Sequence, residues 1–370
     1  MEDRIMKSGL LNWIKRNSST LLLRFCRNLE WRSLCIPAVA AHSLGAAILP
    51  IDFEESRQDF VLETKQLVFP QFPDAFNPSI IRWNGSLLLS FRFYHPETRQ
   101  TNQIGLVYLD EELNPVGKPQ VLEIMGENPF FSQRRQDPRL IQIQNRLFMV
   151  YNVLIREEAK VEIRRMMIAE IFFDQGRFFA RNIDCLTQFA DENPHATEKN
   201  WVPFQYNGQL LLARLLIPHL ILHPTFENGS CESMFSTTAS VNWSWGQPRG
   251  GTPALLVDNE YLAFFHSSAN LRTVHSNGKL MQHYFMGAYT FSSEAPFFIT
   301  RMSPEPIAGS DFYHGPEYQT WKPLRVVFPA GFVFDNQFIW VTYGRQDHEI
   351  WIVKLDKKKL LDSLVPVAVR

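Results

Sequence analysis

Pro78-Ser-Ile-Ile-Arg-Trp-Asn84-Gly-Ser-Leu-Leu-Leu-Ser-Phe91 decides the fold. It reads as strand, tight turn, strand. Proline can open the first strand because no ladder bond is needed there from its missing N–H. Asn84-Gly85 suits the turn, since both residues accept the positive φ of a tight hairpin. The run that follows is apolar and aromatic, as a half-buried pleated strand requires. The same grammar returns as Pro138-Arg-Leu-Ile-Gln-Ile-Gln-Asn145-Arg-Leu-Phe-Met-Val-Tyr151 and as Pro203-Phe-Gln-Tyr-Asn207-Gly-Gln-Leu-Leu-Leu212. It returns again as Pro253-Ala-Leu-Leu-Val-Asp-Asn259-Glu-Tyr-Leu-Ala-Phe-Phe265 and as Pro329-Ala-Gly-Phe-Val-Phe-Asp-Asn336-Gln-Phe-Ile-Trp-Val-Thr-Tyr343. The five Asn lie 61, 62, 52 and 77 residues apart.

A period of about 60 leaves room for four strands per unit, and four-stranded units repeated radially make a β-propeller. Third strands are expected at Ile104–Leu109, Val161–Phe173 and Tyr284–Phe291, and outer strands at Val121–Ile124, Phe178–Ile183 and Phe297–Arg301. The expected fold is all-β: a five-bladed β-propeller over residues 60–370, with an N-terminal arm at 1–59 and a short C-terminal helix at Lys354–Leu364.

The composition agrees. The chain has 370 residues, 45% of them apolar and 20% charged, which excludes disorder. Aromatics reach 13%, with 30 Phe, 10 Tyr and 9 Trp, and 23 Pro outnumber 18 Gly; both lean toward β structure. With 37 Lys+Arg against 38 Asp+Glu the net charge is −1, which argues against a nucleic-acid partner held by its phosphates. Cys26, Cys35, Cys185 and Cys231 form no C-x-x-C pair, so neither a disulfide framework nor a bound metal is expected.

Residues 1–32 hold seven Lys/Arg and three Asp/Glu; Pro37, His42 and Pro50 then interrupt the uncharged run Leu34–Ile51. The basic part is too long for an ordinary signal peptide, and the apolar part too broken for a membrane helix. The arm is read as partly helical or mobile, with no membrane partner. The location is read as cytoplasmic, secretion by an atypical N-terminal signal staying open.

Propeller ligands bind where the innermost strands converge. The residues before the five prolines are Asn77, Asp137, Val202, Thr252 and Phe328, three of them polar. Lys199 leads into the third copy and Arg249 into the fourth; Arg92 and His266 end second strands, and Asp347 follows the fifth copy. Closed blades would gather Arg92, Asp137, Lys199, Arg249, His266 and Asp347 around one cavity. Taken singly, each is as well read as a turn residue, a surface charge or a core histidine.

At these residues the sequence resembles glycoside hydrolase family 130. Phe76-Asn77-Pro78, Gln136-Asp137-Pro138-Arg139, Glu198-Lys199-Asn200-Trp201, Arg249-Gly-Gly-Thr-Pro253 and Val327-Phe-Pro-Ala-Gly331 follow in that family's order, with Phe265-His266 and Tyr343-Gly344 plus Asp347 in place. The family comprises β-mannoside phosphorylases and β-1,2-mannosidases on five-bladed propellers, and is similar to the β-mannosyltransferases of glycosyltransferase family 108. The resemblance implies an inverting enzyme with Asp137 as its single catalytic acid. It implies Arg92, Lys199, Arg249 and His266 as phosphate ligands, with Arg165 added. Asn77, Arg92, Arg139, Asn200, Trp201, Thr252 and Asp347 would hold the sugar. The partners implied are β-linked mannosides or mannose 1-phosphate, with inorganic phosphate a possible co-substrate and no other cofactor. A homo-oligomer is allowed.

That set is chemically coherent. An inverting hydrolase needs a second carboxylate to activate water. A phosphorylase replaces that water with phosphate, already a nucleophile, and needs cations instead. Trp201, Phe204, Trp321 and Tyr343 are candidates to stack on sugars, or else ordinary blade core. Gln136 stands where the family has Glu, and the segment Tyr313–Lys322 lacks a Glu-x-x-Gly. Phosphorolysis, hydrolysis, mannosyl transfer and non-catalytic glycan binding therefore stay open at this stage.

Overall fold

A computed structural model describes residues 51–95, 102–126, 134–158, 161–319 and 322–369. Residues 1–50 of the expected arm, and Trp321, lie outside the described residues. The described chain is all-β in a β-propeller arrangement, with one short α-helix near the C-terminus. That helix covers Lys357–Ser363 rather than Lys354–Leu364. Strand Glu349–Asp356 runs up to it, and Asp356 caps it by accepting the Lys359 N–H at 2.9 Å.

Each Pro–Asn hairpin falls in a different sheet. Phe76–Trp83, Ser86–Tyr94, Asn102–Leu109 and Pro115–Val121 form one antiparallel ladder. Arg135–Ile143, Arg146–Glu158, Val161–Asp174 and Arg177–Cys185 form the next, edged by the parallel strand Glu123–Ile124. Val202–Tyr206, Gln209–Leu215, His219–Pro224 and Cys231–Thr237 form the third. Val327–Asp335, Phe338–Arg345 and Glu349–Asp356 form a fourth, completed on its outer edge by Val61–Leu67 from the other end of the chain. These four are plain ladders, against five expected.

The sheet of the fourth hairpin is built differently. Its inner edge is split into Arg249–Gly250 and Leu255–Val257, both paired with Glu260–Leu271. Met281–Ser292, Ile299–Met302 and Val365–Pro366 follow, and Leu324–Arg325 joins in parallel. The expected outer strand Val121–Ile124 is also corrected. Pro115–Val121 takes that role, and Glu123–Ile124 crosses to the neighbouring sheet.

All five turns have two residues between paired strands. Positive φ falls on Asn84, Asn207, Asn259 and Asn336; in the second copy Gln144 takes it, not Asn145. Apolar clusters fill the gaps between sheets. Leu89, Phe91, Val333 and Ile352 meet in one, and Leu88, Leu106, Leu140 and Met149 in another. Ile141, Val150, Leu210 and Leu212 meet in a third, Phe204, Ala213, Phe265 and Phe291 in a fourth, and Phe264, Met286, Phe332 and Val341 in a fifth. Each Phe fully enclosed in this way contributes roughly 2–3 kcal/mol. Phe53, from the described end of the expected arm, and Phe60, at the start of the expected propeller, join the last cluster.

The inner strands come close together. Leu140 donates its N–H to Ser79 Oγ at 3.1 Å. A Cβ on Gly331 would lie 2.4 Å from Ile80 N, so only glycine lets these two strands approach. No helix among the described residues is long and apolar enough to cross a membrane.

Candidate active site

A cavity of about 1020 Å³ opens where the inner strands converge. Its walls carry Asn77, Arg92, Asp137, Lys199, Asn200, Arg249, His266 and Asp347, all eight expected from the sequence. Backbone irregularity aims several of them. The ladder register breaks between Phe76 and Ser79 and between Gln136 and Arg139. At these bulges Asn77 (φ 48°) and Asp137 (φ 54°) adopt left-handed backbone. A bulge inserts an unpaired residue and redirects its side chain. Asn200 (φ 66°) and Asp347 (φ 54°) share that unusual conformation. Non-glycine residues held there mark sites where the surroundings impose the geometry.

Asp137 is the electrostatic centre. Its Oδ1 accepts from Asn77 Nδ2 at 2.8 Å and from Arg92 Nη1 at 3.2 Å. Burial by itself raises a carboxyl; here Arg92, Arg139, Asn77 and Lys199 outweigh it and hold Asp137 at about 2. Asp347, the other carboxyl on the lining, moves the opposite way. Burial raises it, Arg92 opposes and Asp137 assists. The environment thus pushes the two carboxyls in opposite directions.

The cations on the lining are Arg92, Arg134, Arg164, Lys199 and Arg249. Enclosure lowers the Lys199 ammonium, and Arg164, Arg249 and Arg92 add to that against the pull of Asp137. Burial, then Arg139, Lys199 and Arg249, push His266 to about 3, so its imidazole is neutral at pH 7. Its Nδ1 is enclosed with no hydrogen-bond partner among the described residues. Cations gathered this closely, enough to lower the Lys199 ammonium, can hold an anion.

Four expected ligands lie elsewhere. Arg139 is fully buried and spends its guanidinium on the protein: Nε on Gly251 O at 2.5 Å, Nη1 on Asp137 O at 3.0 Å and Nη2 on Asn200 Oδ1 at 3.2 Å. It positions Asp137 and Asn200. Trp201 is core, edge-on to Phe189 with its Nε1 on Glu198 Oε2 at 3.1 Å. Thr252 is buried, its Oγ1 donating to Pro253 O and accepting the Phe264 N–H. Arg165 turns away from the cavity, with Nη1 on Ala196 O at 2.6 Å and Nη2 on Asn193 O at 3.3 Å. Its neighbour Arg164 reaches the cavity instead, because successive strand residues point to opposite faces.

Phe204 and Tyr343 are likewise fully buried core. The aromatics that do face the cavity are Tyr94, Tyr284 and Phe328. Tyr284 lies parallel to His266, with ring centroids 6.0 Å apart. Gln136, Gln247, Gln282, Ser267, Ser268 and Asn102 complete a polar wall. A smaller cavity of about 230 Å³, lined by Asp74, Tyr94, Gln319 and His348, shares Tyr94 with the main one.

The family model for glycoside hydrolase family 130, described as β-1,4-mannooligosaccharide phosphorylase, matches residues 55–365. The chain belongs to glycoside hydrolase family 130. Members of family 130 are mannoside-acting glycoside phosphorylases and hydrolases. Solved structures agree on the fold. A β-1,2-mannobiose phosphorylase from Listeria innocua superposes with a TM-score of 0.54 at 14% identity, over 81% of this chain and 92% of its own. MPT-4, a mannose phosphorylase from Leishmania mexicana solved with a phosphate ion, gives 0.54 at 14% over 86% and 94%. MPT-1, a GDP-Man-dependent mannosyltransferase from the same organism, gives 0.55 at 12% over 81% and 92%. No curated protein matches this family 130 chain in sequence.

Proposed function

We propose that this chain cleaves β-mannosidic bonds with inversion by phosphorolysis, Asp137 passing the proton to the leaving oxygen. The observation that carries the reading is the opposition of one ionised carboxylate, Asp137, to a cluster of cations in one cavity. Arg92, Lys199 and Arg249, with neutral His266 as a single N–H donor, hold phosphate. Asp347 and Asn77 hold the mannosyl ring.

The proton balance fits a carboxyl held near 2. Hydrogen phosphate loses one proton on becoming a mannosyl phosphate, and the departing hydroxyl gains one. Asp137 therefore relays a proton and need not store it. Arrival of the phosphate dianion cancels the cationic field that keeps Asp137 ionised, so its affinity for the proton rises only with the nucleophile in place. The phosphate oxygen attacks the anomeric carbon opposite the leaving oxygen, and the cations balance charge as the bond breaks.

Run in reverse, the same groups transfer mannose from mannose 1-phosphate to an acceptor mannoside. The size of the main cavity favours that second reading, since it can hold donor and acceptor together. We also count the seven-stranded sheet as a fifth blade. Its Pro253–Asn259 hairpin and the apolar clusters on both its sides support that count.

The test is incubation with β-linked mannobiose, with and without phosphate. Phosphate-dependent release of α-mannose 1-phosphate is expected. Release of free mannose at the same rate without phosphate would refute phosphorolysis, and turnover to the β-anomer would refute inversion.

A further inference from the structure

Away from the cavity, Glu54, His275 and His314 each offer one ligand atom, and these atoms lie within 4.8 Å of one another. We propose that they form a transition-metal site, best suited to Zn²⁺, which staples the segment around Glu54 to the loop that carries His314.

The donor set chooses the metal. Two imidazoles and one carboxylate suit Zn²⁺ and its neighbours, whereas Ca²⁺ and Mg²⁺ want oxygen alone. The Glu54 carboxylate is fixed before any ion arrives. Oε1 accepts the Tyr313 N–H at 2.9 Å and the His314 N–H at 3.1 Å, and Oε2 accepts the Asp311 N–H at 3.2 Å. His314 Nδ1 stands 2.6 Å from Glu54 Oε2, and its largely exposed side chain can turn to share an ion.

His275 is held from the other side. It sits in a 3₁₀ helix of one turn, Val274–Ser276, which Thr273 and Ser276 cap reciprocally. Its imidazole is fully enclosed. Nε2 lies 3.2 Å from the Phe53 nitrogen and 3.3 Å from Asp52 Oδ1; when Nδ1 ligates, the ring proton is on Nε2 and Asp52 accepts it in place of the Phe53 contact. Nδ1 has no hydrogen-bond partner among the described residues. An enclosed ring with one nitrogen unserved, and a carboxylate beside the other to set its tautomer, is how ligand histidines are commonly supported. The two imidazole centroids are 4.9 Å apart. Water can complete the coordination on the exposed His314 side.

The site is separate from the mannoside cavity, whose lining includes none of these residues. Its role is mechanical, since it ties down the chain just ahead of Val61–Leu67.

The test uses tag-free full-length protein, stripped with chelator and titrated with ZnCl₂ by calorimetry. A CoCl₂ titration reads the d–d absorption bands. One equivalent of Zn²⁺ is expected to bind and raise the melting temperature, with Co²⁺ bands of low-coordinate character. His314→Ala should weaken binding at least ~100-fold, because one of only three protein ligands is lost. As His314 is exposed, this variant should melt normally without metal. Glu54→Gln, whose amide oxygen can still accept the Tyr313 and His314 N–H, should weaken binding similarly. Absence of saturable binding, or wild-type affinity in both variants, overturns the site whatever the catalytic activity proves to be.

Discussion

Asp137→Asn separates charge from shape. The amide keeps an acceptor oxygen for Asn77 and Arg92 but carries neither the charge nor the proton. The carboxyl, ordinarily at 3.8, is held at about 2 in the fold, so the site favours its charged form by roughly 2 kcal/mol. The sign follows from linkage. The folded value lies below the unfolded one, so this stabilisation is complete above about pH 4 and is lost as pH falls through about 2. At pH 7 the variant should be about 2 kcal/mol less stable, a fall of roughly 3 °C in Tm for a chain of this size. The difference should narrow below pH 4. Phosphate should still raise the Tm of the variant, because the cations remain and a nearby negative charge is gone. Phosphorolysis should fall about 10³-fold, the usual worth of a proton-transferring group. Melts at pH 7 with and without phosphate, together with mannose 1-phosphate release, check all three effects. A variant as stable as the wild type would refute the electrostatic account, and activity within tenfold of the wild type would remove Asp137 from the reaction.

Lys199→Ala should raise the KM for phosphate about 10- to 100-fold through loss of one charge-assisted contact, with a smaller effect on the mannoside KM; initial rates against each substrate decide it. Gly344→Ala would place a Cβ 2.0 Å from Asn77 Oδ1, pushing aside the amide that supports Asp137. A fall in kcat of at least ~10-fold and a loss of about 1–3 kcal/mol are expected, read by kinetics and urea unfolding. Burial chiefly lowers His266 to about 3 and His219 and His283 to about 4, from 6.5. Below pH 6.5 the unfolded chain therefore binds protons that the folded chain refuses. Stability should drop as pH falls, by up to about 1.4 kcal/mol per pH unit for each histidine. Equal urea midpoints at pH 7 and pH 5 would contradict this.

The hairpins were legible because their determinants are local. Proline, a turn residue that tolerates positive φ and an apolar second strand lie within about a dozen positions of one another. The same locality exposed Asn77 and Asp137, which sit beside Pro78 and Pro138; these prolines lie at the bulges inside Phe76–Trp83 and Arg135–Ile143 rather than at the strand starts. What the motifs could not separate was a residue facing the cavity from one behind it. Arg139 and Thr252 belong to the same motifs as Asp137 and Arg249, yet their hydrogen bonds are spent on the protein. Choosing Arg164 over Arg165 required the strand parity, which the register shift between Leu154 and Arg156 hides from sequence counting. Tyr94, Gln247 and Tyr284 come from strand ends and connections that carry no repeat signal. Val61–Leu67 went unrecognised because its partner is Leu355 and the residues before it, not a neighbour in sequence. The Glu54, His275 and His314 cluster is likewise scattered over the chain, so no spacing announces it.

The pairing of Val61 with Leu355 has a consequence for synthesis. A strand made early pairs with one made late. Until residue 356 is made, Val61–Leu67 is an open edge waiting for its ladder, and so is the sheet it will complete. Earlier sheets can form one by one as their hairpins emerge, but the ring cannot lock until the chain is nearly finished. Contacts of this sequence separation carry a large loop-closure cost and form late. A chain cut short after Ile350 would therefore lose the ladder partner of Val61–Leu67, and that early strand with it.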